Sequence, residues 1–271
     1  MREVISGGLR NLRKNTADFL DILIQDALKA VSSGYYSSEV SVDERRSLVS
    51  SIIGCEHAPV IAEIKPASPS LGRLIYSENF VRIAKAMESG GAVGISVLTE
   101  PKHFKGSLKA LVDVKRAVSI PILMKDVILD RIQLEAASRL GADAVLLIYS
   151  VLTRTGCSLK DMIEFAHSNG MEVLLEVQDP EEFRAAVRSH ADLVGINNRD
   201  LRTLRVDLNR TKEILGKVDP SEKIVVSESG IKSAEDIRFL RKCGAKAFLV
   251  GSAIMLAENV EGKVRELVTA L

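Results

Sequence analysis

Residues 141–150 read GADAVLLIYS, and the same pattern returns at 90–99 (GGAVGISVLT), 190–200 (HADLVGINNRD) and 244–253 (GAKAFLVGSA). In each, a helical stretch ends in a Gly-Ala-like step and a short apolar, β-branched run follows at once. Glycine suits the left-handed position just past a helix, and a run of about four to eight apolar residues describes a strand buried on both faces. Each copy is the junction of one helix with the next strand. Four more runs complete the set: Val60 to Lys65 (VIAEIK), Ile120 to Asp126 (IPILMKD), Glu172 to Gln178 (EVLLEVQ) and Lys223 to Gly230 (KIVVSESG). The strands start about 20 to 30 residues apart, room for one helix between each pair, as in parallel βα units. Eight such strands favour closure into a barrel over an open sheet, and no GxGxxG turn follows the first strand as a dinucleotide-binding sheet would require.

The predicted fold is therefore α/β, a (β/α)8 TIM barrel. At 271 residues the chain forms one domain, residues 1–271. Residues 1–54 are an N-terminal helical extension with one helix over Thr16 to Val31 and another opened by the capping-box pattern Ser41-x-x-Glu44. The extension either covers the bottom of the barrel or lends residues to its mouth; both readings stay open. With 37 basic and 36 acidic residues and no long block of one sign, no broad surface for nucleic acid or membrane is expected. No apolar segment reads as a signal peptide or a membrane span, because Asp18, Asp21 and Asp26 interrupt the first apolar stretch. The cysteines, Cys55, Cys157 and Cys243, have neither disulfide nor zinc-ligand spacing and are expected to be buried as small apolar side chains, with no metal bound. A cytoplasmic setting follows.

Barrels of this kind build their sites at the C-terminal ends of the strands, so polar residues there need a reason. Glu63 and Lys65 lie two apart, hence on one side of the first strand, in an otherwise apolar run. Lys125 ends the third strand, Glu176 lies late in the fifth and Asn197 late in the sixth. One such residue could belong to a salt-bridge plug, but buried charge on so many strand ends is retained where function needs it. At the end of the chain, Ser227-Glu228-Ser229-Gly230 and Gly251-Ser252 follow the last two strands, where backbone N–H groups can approach an anion; this is where such barrels hold phosphate. Between the first strand and its helix, two prolines flank Ser68 and fix the direction of its hydroxyl. The histidines, His57, His103, His167 and His190, are expected on loops and helix surfaces.

The segments EIKPASPS (63–70), SVLTEPKHFKGS (96–107), PILMKD (121–126), LLEVQD (174–179), GINNRDL (195–201), SESGI (227–231) and FLVGSAIM (248–255) together closely resemble the indole-3-glycerol-phosphate synthase family of tryptophan biosynthesis, over about residues 40–260. The resemblance implies a carboxy-lyase that closes the ring of 1-(2-carboxyphenylamino)-1-deoxyribulose 5-phosphate, losing carbon dioxide and water, with no cofactor or metal. It makes Lys125 the general acid and assigns Lys65, paired with Glu63, to the substrate carboxylate or the dehydration. Glu176 becomes a base or a stabiliser of positive charge, and Asn197 orients hydroxyls. Ser68, Ser229, Gly230, Gly251 and Ser252 match phosphate-binding and positioning residues, and Glu228 a supporting carboxylate. Phe104 matches an aromatic that packs on the anthranilate ring and Arg199 a nearby loop arginine. The resemblance further implies a cytoplasmic monomer that can associate with other tryptophan-pathway enzymes. The chain departs from the family pattern at Pro66 and Leu71, where members often carry basic residues, and at Val127, where some have an aromatic.

Three other readings compete. A sugar-phosphate isomerase of similar architecture would use a cysteine and an aspartate, and the first strand has no cysteine. A Schiff-base aldolase would use Lys65 or Lys125 as nucleophile. A catalytically dead scaffold would have lost charged strand ends that this chain keeps.

Overall fold

The computed structural model describes residues 18–38, 40–69, 71–74 and 79–271. Its strands are β1 (Val60–Ile64), β2 (Gly94–Leu98), β3 (Ile122–Lys125), β4 (Ala144–Ile148), β5 (Glu172–Val177), β6 (Leu193–Asn197), β7 (Ile224–Glu228) and β8 (Ala247–Val250). All pair in parallel, each with the next, and β8 pairs back to β1 through Val60↔Phe248 and Ala62↔Val250, so the sheet is a closed barrel. Every expected strand is present: the four runs given outright are trimmed by up to two residues at an end, and the other four strands begin three or four residues into their junction stretches.

The helices are α1 (Phe19–Ser32), α2 (Leu48–Ile53), α3 (Phe80–Ser89), α4 (Leu108–Ala117), α5 (Arg131–Arg139), α6 (Tyr149–Thr155), α7 (Leu159–Ser168), α8 (Pro180–Val187), α9 (Asn209–Lys217), α10 (Ala234–Lys242), α11 (Ser252–Met255) and α12 (Val260–Val268). Their starts are locally encoded. Asp130 with Gln133 and Ser233 with Asp236 form capping boxes, and Asp179 caps α8 ahead of Pro180. Two helices rather than the expected one follow β4, because Gly156 adopts a left-handed φ of +72° and ends α6. Two also follow β8, and a short antiparallel ladder, Ala67–Ser68 with Gly72–Arg73, sits between β1 and α3.

Strand parity sorts the core into two bodies. Ala62, Ile64, Val97, Ile122, Val145 and Val177 pack with the surrounding helices, whereas Ile61, Leu123, Leu146, Leu174, Val226 and Leu249 pack with one another inside the barrel. Because side chains alternate across a strand, the residues two positions beyond this inner set, namely Glu63, Lys125, Ile148, Glu176, Glu228 and Gly251, also face inward, one layer nearer the C-terminal end. The barrel core thus decides which polar groups meet.

The N-terminal extension does both jobs left open by the sequence. At the bottom of the barrel, Glu172 at the start of β5 accepts from the Ser47 hydroxyl and from the backbone N–H groups of Leu48 and Val49, seating α2 with Leu48 and Ile52 buried. At the top, α1 places Leu23 at the barrel mouth, and Arg154 of α6 binds Asp18 and Asp21 on its first turn at 2.7–2.8 Å. Asp18 caps α1; Thr16, its expected start, lies outside the described residues. The expected helix at Ser41-x-x-Glu44 is absent. Barrel groups take that segment's backbone instead, with Val42 N–H on the Arg139 carbonyl and Arg46 N–H on Asp143, and the helix begins after Ser47. Tertiary partners override a local capping signal there. The three cysteines are half-buried rather than buried. No helix among the described residues is long and apolar enough to cross a membrane.

Candidate active site

The inward layer opens into a cavity of about 930 Å³ at the C-terminal end of the barrel, lined by Glu63, Lys65, Phe104, Lys125, Glu176, Asn197, Arg199, Ser229, Gly230, Gly251 and Ser252. Eleven of the thirteen residues singled out from the sequence therefore share one space. Val127, which is buried, and Leu71, which is exposed, also line it.

Four of these groups form a chain of alternating charge. Lys65 Nζ lies 2.7 Å from Glu63 Oε1, Lys125 Nζ lies 3.3 Å from Glu63 Oε2, and Lys125 Nζ lies 2.7 Å from Glu228 Oε2. Glu228 does not line the cavity; it is fully buried beneath Lys125. Its Oε1 has no hydrogen-bond donor among the described residues and occupies the space a side chain at position 195 would need, since a Cβ on Gly195 would come within 2.1 Å of it. Gly251 is constrained similarly, as its Cβ would meet Glu63 Oε1 at 2.4 Å. Glycine at both positions leaves room for the carboxylates.

The electrostatics follow from this packing. Burial opposes charge on Glu63, but the Lys65 and Lys125 ammonium groups outweigh it and hold its carboxyl down at about 2. Burial likewise opposes charge on Lys125, yet Glu228, Glu63 and Glu176 together raise it above the ordinary lysine range, so it is an ammonium at neutral pH. Glu176 differs. Burial and the Glu228 charge push it up to about 7 against the pull of Lys125 and of Asn197, whose Nδ2 donates to its Oε1 at 2.9 Å. The site thus holds a fixed ammonium beside a carboxyl that changes protonation near neutrality.

Ser229 and Gly230 both take left-handed φ values, +67° and +86°, and turn the chain back over the cavity beside Gly251 and Ser252. A non-glycine residue held there costs on the order of 1–3 kcal/mol, strain that collects at ligand sites. Asn197 Oδ1 accepts from Arg199 N–H at 2.9 Å, which ties the arginine loop to β6.

Ser68 is placed elsewhere. Its hydroxyl accepts from Leu71 N–H at 3.1 Å, and it lines, with Pro66, a separate cavity of about 650 Å³ beyond the β1 loop. The turn that the prolines rigidify engages the hydroxyl as an acceptor. Ser70, the last residue of that motif, lies outside the described residues.

The sequence reading missed several contributors. Asp126 lines the cavity beside Lys125; burial pushes it up to about 6 even though Thr99, Val127 N–H and Tyr36 all donate to it. Glu100 accepts the N–H groups of Lys102, His103 and Phe104 at 2.7–2.8 Å, folding that loop around its carboxylate. His103, on a loop as expected, donates to Asp26 of α1 at 2.9 Å, and its side chain is only 18% exposed. Glu100 and Asp126 each end or follow an apolar run, the same signal that revealed Lys125, whereas the partners from α1 had no sequence cue.

The family model for indole-3-glycerol phosphate synthase matches residues 24–267. Proteins named indole-3-glycerol phosphate synthase from Methanocaldococcus jannaschii and Methanopyrus kandleri are 42% and 46% identical, over 90% and 78% of this chain and 92% and 83% of their own lengths. One of the same name from Alkaliphilus metalliredigens is 38% identical over 92% of this chain and 94% of its own. Among solved structures, thiamine phosphate pyrophosphorylase from Pyrococcus furiosus superposes with a TM-score of 0.61 at 19% identity, covering 83% of this chain and 97% of that one. N-acetylmannosamine-6-phosphate 2-epimerase from Clostridium perfringens gives 0.58 at 16%, covering 79% and 93%. These two likenesses concern the fold alone.

Proposed function

Because the chain belongs to the indole-3-glycerol phosphate synthase family, we propose that its cavity closes the ring of 1-(2-carboxyphenylamino)-1-deoxyribulose 5-phosphate, as a carboxy-lyase of tryptophan biosynthesis. The observation that carries the residue-level reading is Lys125, held between Glu63 and Glu228 on the cavity floor with Glu176 close by. The substrate is a flexible chain with an anion at each end. Holding the phosphate at Ser229–Gly230 and Gly251–Ser252 and the aromatic ring against Phe104 folds it so that the reacting carbons meet, which is where an intramolecular cyclisation gains most.

In this reading the ring carbon that bears the carboxylate attacks the substrate's ketone carbon, forming the new carbon–carbon bond, and Lys125 passes its proton to the ketone oxygen. The surrounding carboxylates keep that proton in place until an alkoxide, a stronger base than lysine, develops. Carbon dioxide then leaves from the ring carbon and its bonding pair restores the aromatic ring. Finally the new hydroxyl departs as water with a proton from Lys65, while Glu176 takes a proton from the neighbouring methylene and the pyrrole double bond forms. Asn197 orients Glu176 and substrate hydroxyls, and Arg199 stands near the substrate carboxylate. Glu63 and Glu228 hold the two ammonium groups apart and charged. No step calls for a metal or cofactor.

The substrate's phosphate meets backbone N–H groups rather than a β1-loop cation, since Pro66 and Leu71 are apolar. We also place the chain in the cytoplasm as a single-domain monomer, in keeping with its balanced charge and free cysteines. Leu71, Val206 and Leu256, among its exposed large apolar side chains, all line the catalytic cavity. Association with other enzymes of the pathway is compatible with that arrangement. Adding the carboxyphenylamino-deoxyribulose phosphate to purified protein should give indole fluorescence together with one carbon dioxide per product; fluorescence without carbon dioxide, or neither, would refute the reaction. Borohydride in the same mixture should trap no lysine adduct, whereas a trapped adduct would favour Schiff-base chemistry at Lys65 or Lys125.

A further inference from the structure

Asp26 lies on the third turn of α1, three residues after Leu23, so both reach the same side of the helix and the same edge of the barrel mouth. Its carboxylate is almost enclosed, with 6% of the side chain exposed, and a buried carboxylate is retained only when its oxygens are matched by donors. The donors are specific. Lys102 Nζ reaches Oδ2 at 2.7 Å and His103 Nε2 reaches the same oxygen at 2.9 Å, while Lys29 of α1 itself reaches Oδ1 at 3.0 Å. Lys29 belongs to α1 itself and so ties Asp26 to no other element. The two residues that matter belong to the loop after β2, and the edge of the Phe19 ring packs on the His103 ring at 5.5 Å.

That loop is tied together through one carboxylate. The Glu100 carboxylate accepts three successive backbone N–H groups, those of Lys102, His103 and Phe104, and the Phe104 carbonyl accepts from Ala67 N–H at 3.1 Å. Whatever fixes Lys102 and His103 therefore fixes the ring of Phe104, the next residue and part of the cavity wall. We infer that Asp26 is a positioning residue: by gripping Lys102 and His103 from the N-terminal extension, it aims Phe104 at the aromatic end of the substrate. Charge-assisted bonds are directional in a way an apolar contact is not, so the carboxylate sets the orientation of the loop as well as its proximity. This assignment rests on the reading of the cavity as the substrate site.

A double-mutant cycle with Asp26→Asn and Phe104→Ala tests it, reading kcat, KM and Tm on the carboxyphenylamino-deoxyribulose phosphate. Asp26→Asn is expected to raise KM about three- to tenfold with kcat within about twofold, the signature of lost binding without lost chemistry, and to raise KM no further once Phe104 is alanine. A lowered Tm with unchanged KM, or equal KM effects in both backgrounds, would overturn the assignment and leave Asp26 a staple of α1. Lys102→Met with His103→Leu cuts the same contact from the loop side and carries the cycle if Asp26→Asn does not fold. Absence of ring closure by the wild-type chain would overturn the underlying reading along with the assignment. Normal wild-type activity, a weakened Phe104→Ala and a silent Asp26→Asn would overturn the assignment alone.

Discussion

Each polar group in the cavity is explained by the group beside it. Glu176 is the clearest case, because burial and the nearby Glu228 charge, with a smaller push from Glu182, raise its carboxyl to about 7. As the proposed base of the final step it must be ionised, so kcat should fall as pH drops below about 7, and Glu176→Gln should abolish that limb along with most of the turnover. The same residue has a stability cost whose sign is fixed. Its folded pKa lies above the ordinary carboxyl value of 4.5, so its stabilising contribution is complete below that value and is lost as pH rises through about 7. Glu176→Gln, which keeps the acceptor for Asn197, should therefore raise Tm relative to wild type at pH 8 and change it little at pH 5. A lower Tm at pH 8 would refute this electrostatic account. Most of these residues were legible as charges late in apolar runs. Glu228 was legible in the segment after the seventh strand, its role as a supporting carboxylate only through the resemblance, and Ser68 lies outside this cavity with its hydroxyl accepting within its own turn.

At the level of elements, the barrel was readable because each βα unit repeats the same signal: a Gly-Ala step, an apolar run, then a capping residue such as Asp130, Asp179 or Ser233. The extension was readable only as helical. Its hydrogen bonds to the barrel reach residues 64 to 136 positions away, among them Thr99, Glu172 and Arg154, and no local pattern encodes such pairings. They also explain why the Ser41-x-x-Glu44 signal lost to an extended path ending at Ser47. Glu172 does for α2 what an N-cap does, from another element. Glu172→Gln should destabilise the protein by about 1–2 kcal/mol, read as a lower urea midpoint with an unchanged m-value, since Leu48 and Val49 N–H groups lose a charged acceptor. An unchanged midpoint would show that packing of Leu48 and Ile52 suffices without the cap.

For the whole molecule, two buried ionic layers serve different ends of one barrel. Near the bottom, Lys115 donates to both oxygens of Asp143 at 2.7 and 2.8 Å, and Asp143 also accepts from Ile122 and Arg46 N–H groups, so the pair ties α4, β3 and the extension together. Removing one partner, as in Lys115→Met, should cost about 3–5 kcal/mol of stability and leave kcat of the surviving fold unchanged. At the top, the chain of Lys65, Glu63, Lys125 and Glu228 is the part to which we assign the chemistry. It is best tested at its centre by measuring kcat and substrate binding for Lys125→Ala under conditions where wild type shows indole fluorescence. The account predicts a loss of at least about a hundredfold in kcat with the substrate still bound. A variant that turns over at the wild-type rate would contradict it.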